Sequence, residues 1–208
     1  MASLELHFGP VTTPKTAAVP APAPATGSPG WRVLLDYAVV VAAWALAMVA
    51  AATFPLDHPQ VARVALFIHL VSLAIGFGSV IMIDLYGLLW LFGRRTLTQL
   101  VDLDSAAHTV IAVAVGGLLA SGIALQPDLS TPLARFKMLL VLGLMLNGLA
   151  AQRLLARLGT SLPPTTRGDG IPWAAFQRGL AVALISQATW WGSIAIGFIT
   201  TASRNSGS

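Results

Sequence analysis

Residues 64–93 read VALFIHLVSLAIGFGSVIMIDLYGLLWLFG. The run contains one carboxylate, Asp84, and no lysine or arginine. About 20 apolar residues of helix cross the hydrocarbon core of a bilayer, so this run spans it with length to spare. A helix on the surface of a soluble domain needs a charged face toward water, and none exists here. The stretch reads as a transmembrane helix that tilts or projects beyond the hydrocarbon.

Four further segments meet the same rule, at about 37–56, 105–126, 138–152 and 179–203. The run 138–152 is the shortest and spans only if Lys137 and Arg153 snorkel from its two ends. Pro59, Pro132 and Pro172 each follow polar or glycine residues and read as first-turn prolines of helices two, four and five. Asp102 and Asp104 read as the start of the third helix, where carboxylates complement the dipole. The expected fold is all-α, an integral membrane bundle of five transmembrane helices over residues 31–203. A Pro/Ala-rich tail at 1–30 lacks the apolar content to order itself and does not read as a secretory signal, and a short tail closes the chain at 204–208.

Composition agrees. Apolar residues make up 56% and charged residues 10%, with a mean hydropathy of +0.77, where a soluble domain carries about a quarter charged residues. Cysteine is absent, which excludes disulfides, thiolate metal sites, iron–sulfur clusters and cysteine nucleophiles. The formal charge of +4 does not signal nucleic acid, because the basic residues stand singly or in pairs beside apolar runs. In that setting they set orientation and meet lipid headgroups. With the N-terminus inside, Lys15, Arg32, Arg94, Arg95, Arg153, Arg157, Arg167 and Arg178 fall on the inner side. Arg63, Arg135, Lys137 and Arg204 fall on the outer side, and this excess favours N-in, C-out.

Polar groups inside the membrane must find partners, so function is sought among them. His69, Ser72, Gly76 and Gly87 share one face of the second helix, with Asp84 about 60° from its centre. This is either a close-packing face with a hydrogen-bonded histidine or a ligand-contacting stripe. Asp84 lies roughly 22 Å from His69 along the helix, on the inner side with His108. The two form a candidate relay or structural pair, unless Asp84 simply reaches the headgroups. His108, Ala112, Gly116 and Ala120 recur at four-residue spacing and read as a packing face. Lys137 sits in the same leaflet as His69, either snorkelling to water or turned toward an anionic ligand. Asn147 reads as a hydrogen bond across a helix interface. The adjacent Trp190 and Trp191 lie at mid-depth, where they either pack into the bundle or wall a pocket for a flat ligand. Trp31, Trp90 and Trp173 fall at membrane edges.

The stretch IHLVSLAIGFGSVIMIDLYGLLWLFGRR, followed two helices later by RFKMLLVLGLMLNG, resembles bacterial multi-helix membrane proteins of the copper-resistance-D-like group. It is also similar to the membrane-bound, oxygen-independent protoporphyrinogen oxidases. In these proteins a histidine opens a glycine-containing helix, and in the oxidases a lysine opens a later one. The matching positions are His69, Gly76, Gly78 and Lys137, within residues 61–155. The resemblance implies the bacterial cytoplasmic (inner) membrane and the handling of b-type haem or copper, with His69 as metal ligand and Lys137 beside an anionic group. Copper transport uses paired soft ligands, and the methionines here are scattered. His69 and His108 fall in opposite leaflets and do not share one haem within a monomer.

Three functions follow as expectations. One is a haem- or metal-binding membrane protein built on His69, Lys137, Trp190 and Trp191. A second is a small permease or proton-coupled carrier with Asp84 and His108 as its inner relay. The third is a non-catalytic subunit or assembly factor, held in a homo-oligomer or larger complex by its small-residue faces. No nucleophile elbow, zinc-protease helix or phosphate-binding glycine loop assigns a hydrolytic or phosphoryl-transfer reaction.

Overall fold

The computed structural model describes residues 30–53 and 58–206, with side chains through Thr200. Most of the N-terminal tail, Lys15, Leu56, the side chain of Arg204 and the final two residues lie outside the described residues. Five helices form: α1 (Gly30–Thr53), α2 (Pro59–Leu91), α3 (Leu97–Ala124), α4 (Pro132–Ser161) and α5 (Trp173–Ser206). A single 3-10 turn, Gly168–Gly170, interrupts the last connection. Each helix is long and apolar enough to cross a membrane, which is the architecture of an integral membrane protein. At 33 residues α2 is about 50 Å long, well beyond the hydrocarbon thickness.

Local chemistry sets the boundaries. Pro59 and Pro132 occupy the first turns of α2 and α4, where their missing N–H costs nothing. Thr131 caps α4 by accepting from the Ala134 N–H at 3.3 Å. Pro172 instead stands just before α5, its carbonyl accepting from the amides of Ala175 and Phe176. Helix α3 opens earlier than the acidic pair suggests. Thr96 and Gln99 form a reciprocal capping box, which places Asp102 and Asp104 beyond the first turn. At the other end of the same corner, Gly93 takes φ +71°. The Gly93 and Arg94 amides then donate to the carbonyls of Trp90 and Leu89, closing α2 with a Schellman motif.

The helices alternate in direction and pack as two hairpins, α2 with α3 and α4 with α5. Helix α1 lies against α3 and α4. Its Trp44 Nε1 donates to the Met138 carbonyl at 3.1 Å, and its Asp36 pairs with Arg153 at 2.7 Å. One end of the bundle gathers Arg32, Arg94, Arg95, Arg153, Arg157, Arg167 and Arg178, and is called the basic end below.

At the basic end Trp90, Leu97, Leu100 and Leu158 form a buried cluster. The α4–α5 connection folds over it and supplies acceptors to the α2–α3 corner. The Leu97 amide donates to Thr166 O at 3.0 Å, and Thr98 donates to Pro164 O from both its amide and its hydroxyl. Trp90 is therefore not a simple interfacial anchor. It is buried, and its Nε1 donates to Thr166 O at 2.9 Å.

The outer surface is apolar, with Phe67 68%, Val113 71% and Phe198 76% exposed. Such a surface needs lipid around it. The expected packing ladder of α3 belongs to this surface. Ala112, Gly116 and Ala120 are exposed, and a Cβ on Gly116 would meet nothing within 4 Å. Four-residue spacing defines a face but does not choose its direction, and α3 uses the adjacent Ala114, Gly117 and Ser121 face to meet α2.

Candidate functional site

The polar stripe of α2 meets α3 closely. Gly117 has no side chain because Ser72 occupies the space its Cβ would take. Gly76 faces Ala114 and the indole of Trp190, at 3.0 and 3.3 Å from where its Cβ would sit. This approach brings His69 to α3, where its Nδ1 lies 3.0 Å from Ser121 Oγ. Gly87, expected on the same stripe, has nothing within 4 Å of its Cβ position and takes no part.

The Ser121 bonds settle how the imidazole is held. The hydroxyl has one proton, and it is directed at the Gly117 carbonyl, 2.5 Å away. With its proton so directed, Ser121 Oγ can accept from an Nδ1–H of His69, and the Leu118 carbonyl is a further backbone acceptor for the ring. Ser121 is buried and His69 is half-buried, so the ring is oriented rather than free.

Lys137 comes to the same layer from α4. It turns inward, with Nζ 3.5 Å from where a Cβ on Gly197 of α5 would stand, and its charge acts on the His69 ring. Helices α2, α3, α4 and α5 thus contribute His69, Ser121, Lys137 and Gly197 to one level of the bundle. A cavity of about 340 Å³ adjoins Lys137, bounded by Met138, Ile196 and the α3–α4 connection at Pro127, Asp128 and Thr131, so the ammonium and the Asp128 carboxylate share one cavity. His69 does not line it. Chemically, the layer offers an imidazole oriented by Ser121 and an ammonium that shares its cavity with Asp128.

Trp190 and Trp191 do not act together. Successive residues of a helix point about 100° apart, so an adjacent pair divides between inside and outside. Trp190 is 3% exposed and packs on Gly76 and Phe77, with its ring centroid 5.5 Å from that of Phe77. Trp191 is 56% exposed and meets Phe77 edge-on at 5.1 Å. Neither indole lines the cavity beside Lys137, so the flat-pocket expectation gives way to packing.

Asp84 and His108 are not joined. The Asp84 carboxylate accepts from Gln187 Nε2 at 2.6 Å, and Gln187 Oε1 in turn accepts from Trp191 Nε1 at 3.0 Å. His108 has Asp104, one turn earlier on α3, as its charged neighbour. Asn147 Nδ2 donates to the Val182 carbonyl at 2.9 Å, the interhelical bond expected of it. Three participants escaped sequence reasoning: Ser121, Gly197 and Gln187 as partner of Asp84. Ser121 and Gly197 look like ordinary small residues of a packed membrane helix, so nothing local marks them. Gln187 was a mid-membrane amide in need of a partner, and that requirement was its signal.

Among the described residues, no group of three or more His, Cys, Asp or Glu side chains converges to hold a metal ion. The chain matches no protein-family model, no curated protein and no solved structure.

Proposed function

We propose that this is a multi-pass protein of the bacterial cytoplasmic membrane, with its basic end inside, and that it holds a carboxylate-bearing ligand between His69 and Lys137. The ligand implied by the resemblance is b-type haem. The observation that supports this reading is an imidazole held by Ser121 and an inward-turned ammonium beside Gly197 at the same end of the bundle. A lysine turned into a membrane bundle is costly unless it meets an anion, and the cavity beside it already carries the Asp128 carboxylate.

Histidines that bind metals commonly have their second ring nitrogen on an oxygen partner, and the His69–Ser121 pair has that form. His69 would hold the metal of such a group, and Lys137 would meet one of its carboxylates. A second histidine ligand is not at hand, since His108 stands near the opposite end of the bundle. A bound haem would supply redox or gas-binding chemistry, while this chain would contribute position, charge and exclusion of water. The test is a reduced-minus-oxidised absorption spectrum of protein purified in detergent from haem-replete cells. The reading expects a Soret band that is lost in His69→Ala and kept in His108→Ala. A colourless wild-type preparation overturns the haem assignment.

The exposed Ala112, Gly116 and Ala120 face favours a second reading, a non-catalytic subunit bound through α3 to a transmembrane helix of a neighbouring subunit. Stable co-purification in mild detergent, lost in Gly116→Leu, supports it, and a discrete monomer argues against it. The carrier reading uses Asp84 and His108 as an inner relay and His69 as an outer one, and no observation specifically favours it, since the Asp84 carboxylate is engaged by Gln187.

A further inference from the structure

A groove of about 650 Å³ runs between α1, α4 and α5 at the basic end. Three guanidinium groups line it, from Arg153, Arg157 and Arg178. Arg153 is the anchored one: its Nη2 donates to Asp36 Oδ2 at 2.7 Å and to the Val33 carbonyl at 3.4 Å, and its guanidinium lies 4.4 Å above the Tyr37 ring. Its Nη1 is enclosed with no hydrogen-bond partner. Arg157 and Arg178 are exposed, and neither pairs with a carboxylate among the described residues. With Asp36 set against the three arginines, the groove carries a net charge of +2 (3 − 1).

The wall changes character with depth. One turn further into the bundle from Arg178 stands Val182, and from Arg157 the α4 wall continues through Leu154 to Ala150. Cationic groups therefore sit at the membrane edge, with an apolar slot beneath them running along the hydrocarbon direction. A soluble anion uses only the upper part of such a groove. A molecule with a phosphate above and acyl chain below uses all of it, and guanidinium forks suit phosphate oxygens.

We infer that this groove is a binding site for an anionic phospholipid, whose phosphate lies between Arg157 and Arg178 and whose acyl chain follows Leu154, Ala150 and Val182. The site is separate from the His69–Lys137 layer, which lies toward the opposite end of the bundle, so the two stand or fall independently. Arg153 acts as a positioning residue, fixing α1 to α4 through Asp36 and Tyr37 and thereby shaping one wall.

The test uses the full chain in mild detergent, titrated with phosphatidylglycerol, phosphatidylcholine or inorganic phosphate at matched ionic strength. Thermal unfolding and native mass spectrometry give the readouts. Phosphatidylglycerol should raise the Tm and appear as a retained adduct, whereas phosphatidylcholine and phosphate should do neither. The double substitution Arg157→Gln/Arg178→Gln should weaken phosphatidylglycerol binding at least about tenfold while leaving the lipid-free Tm unchanged. Arg63→Gln/Arg135→Gln, at the opposite end, should leave binding intact. An equal shift from phosphatidylcholine overturns the headgroup assignment. An equal shift from phosphate makes the groove a soluble-anion site. Undiminished phosphatidylglycerol binding in the Arg157/Arg178 variant places the lipid elsewhere.

Discussion

Gln187 on α5 donates from its amide to the Asp84 carboxylate on α2 at 2.6 Å, a bond made between side chains 103 residues apart in sequence. Helices α2 and α5 belong to different hairpins, so this bond and the Trp190–Gly76 contact hold the hairpins together at mid-depth. Gln187→Leu removes the donor and leaves Asp84 alone, and is expected to destabilise the fold by about 1–2 kcal/mol. The double variant Asp84→Leu/Gln187→Leu should recover most of that loss, because an apolar pair has nothing to leave unsatisfied. A double-mutant cycle of unfolding in detergent checks this. A loss in the double variant equal to the sum of the losses in Asp84→Leu and Gln187→Leu would show that the bond carries no coupling.

Gly117→Ala places a methyl group on the Ser72 hydroxyl, and should cost about 1–3 kcal/mol through forced separation of α2 and α3. Ser72→Gly in the same chain should restore part of it. Gly116→Ala, one residue away, meets open space and should be neutral or slightly stabilising, since alanine favours helix. Thermal midpoints of the three variants decide the matter.

Ser121→Ala keeps His69 but removes the acceptor that fixes its ring. Loss of such an orienting partner typically lowers metal affinity by about 10–100-fold. If haem binds at His69, haem titration of the variant should show that weakening with the Soret band retained at saturation, whereas His69→Ala loses the band altogether. Identical titration curves for wild type and Ser121→Ala would remove the orienting role of Ser121.

Trp90→Phe deletes the donor that ties the α2–α3 corner to Thr166 while keeping most of the ring volume. It is expected to cost about 1 kcal/mol and to raise the rate of proteolysis within residues 162–172. Cleavage mapping by mass spectrometry reads this directly.

The five spans were legible because a long run with almost no charge is stable in lipid and poorly suited to water. Finer features were less so, for identifiable reasons. The start of α3 was written in Thr96 and Gln99, whose three-residue spacing is a capping box, but the acidic pair at 102 and 104 offered a competing and weaker signal. The ladder of α3 gave a face without a direction, since small residues suit both a packed interface and an open one. For Trp190 and Trp191 the helical period implies that one turns inward, and only the position of Gly76 and Phe77 says which. The inward turn of Lys137 was not legible, because it depends on Gly197, 60 positions away in sequence.

The clasp that residues 162–172 place over the α2–α3 corner also orders the birth of the molecule. Trp90 waits for an acceptor 76 positions later in the chain, at Thr166. As the polypeptide leaves the ribosome, the first hairpin enters the bilayer with that corner unfastened, and it is latched only after α4 has followed. Interrupting synthesis after α4 but before residue 164 should therefore leave a nascent bundle whose corner amides exchange freely with water, and extending it by a few residues should lock them.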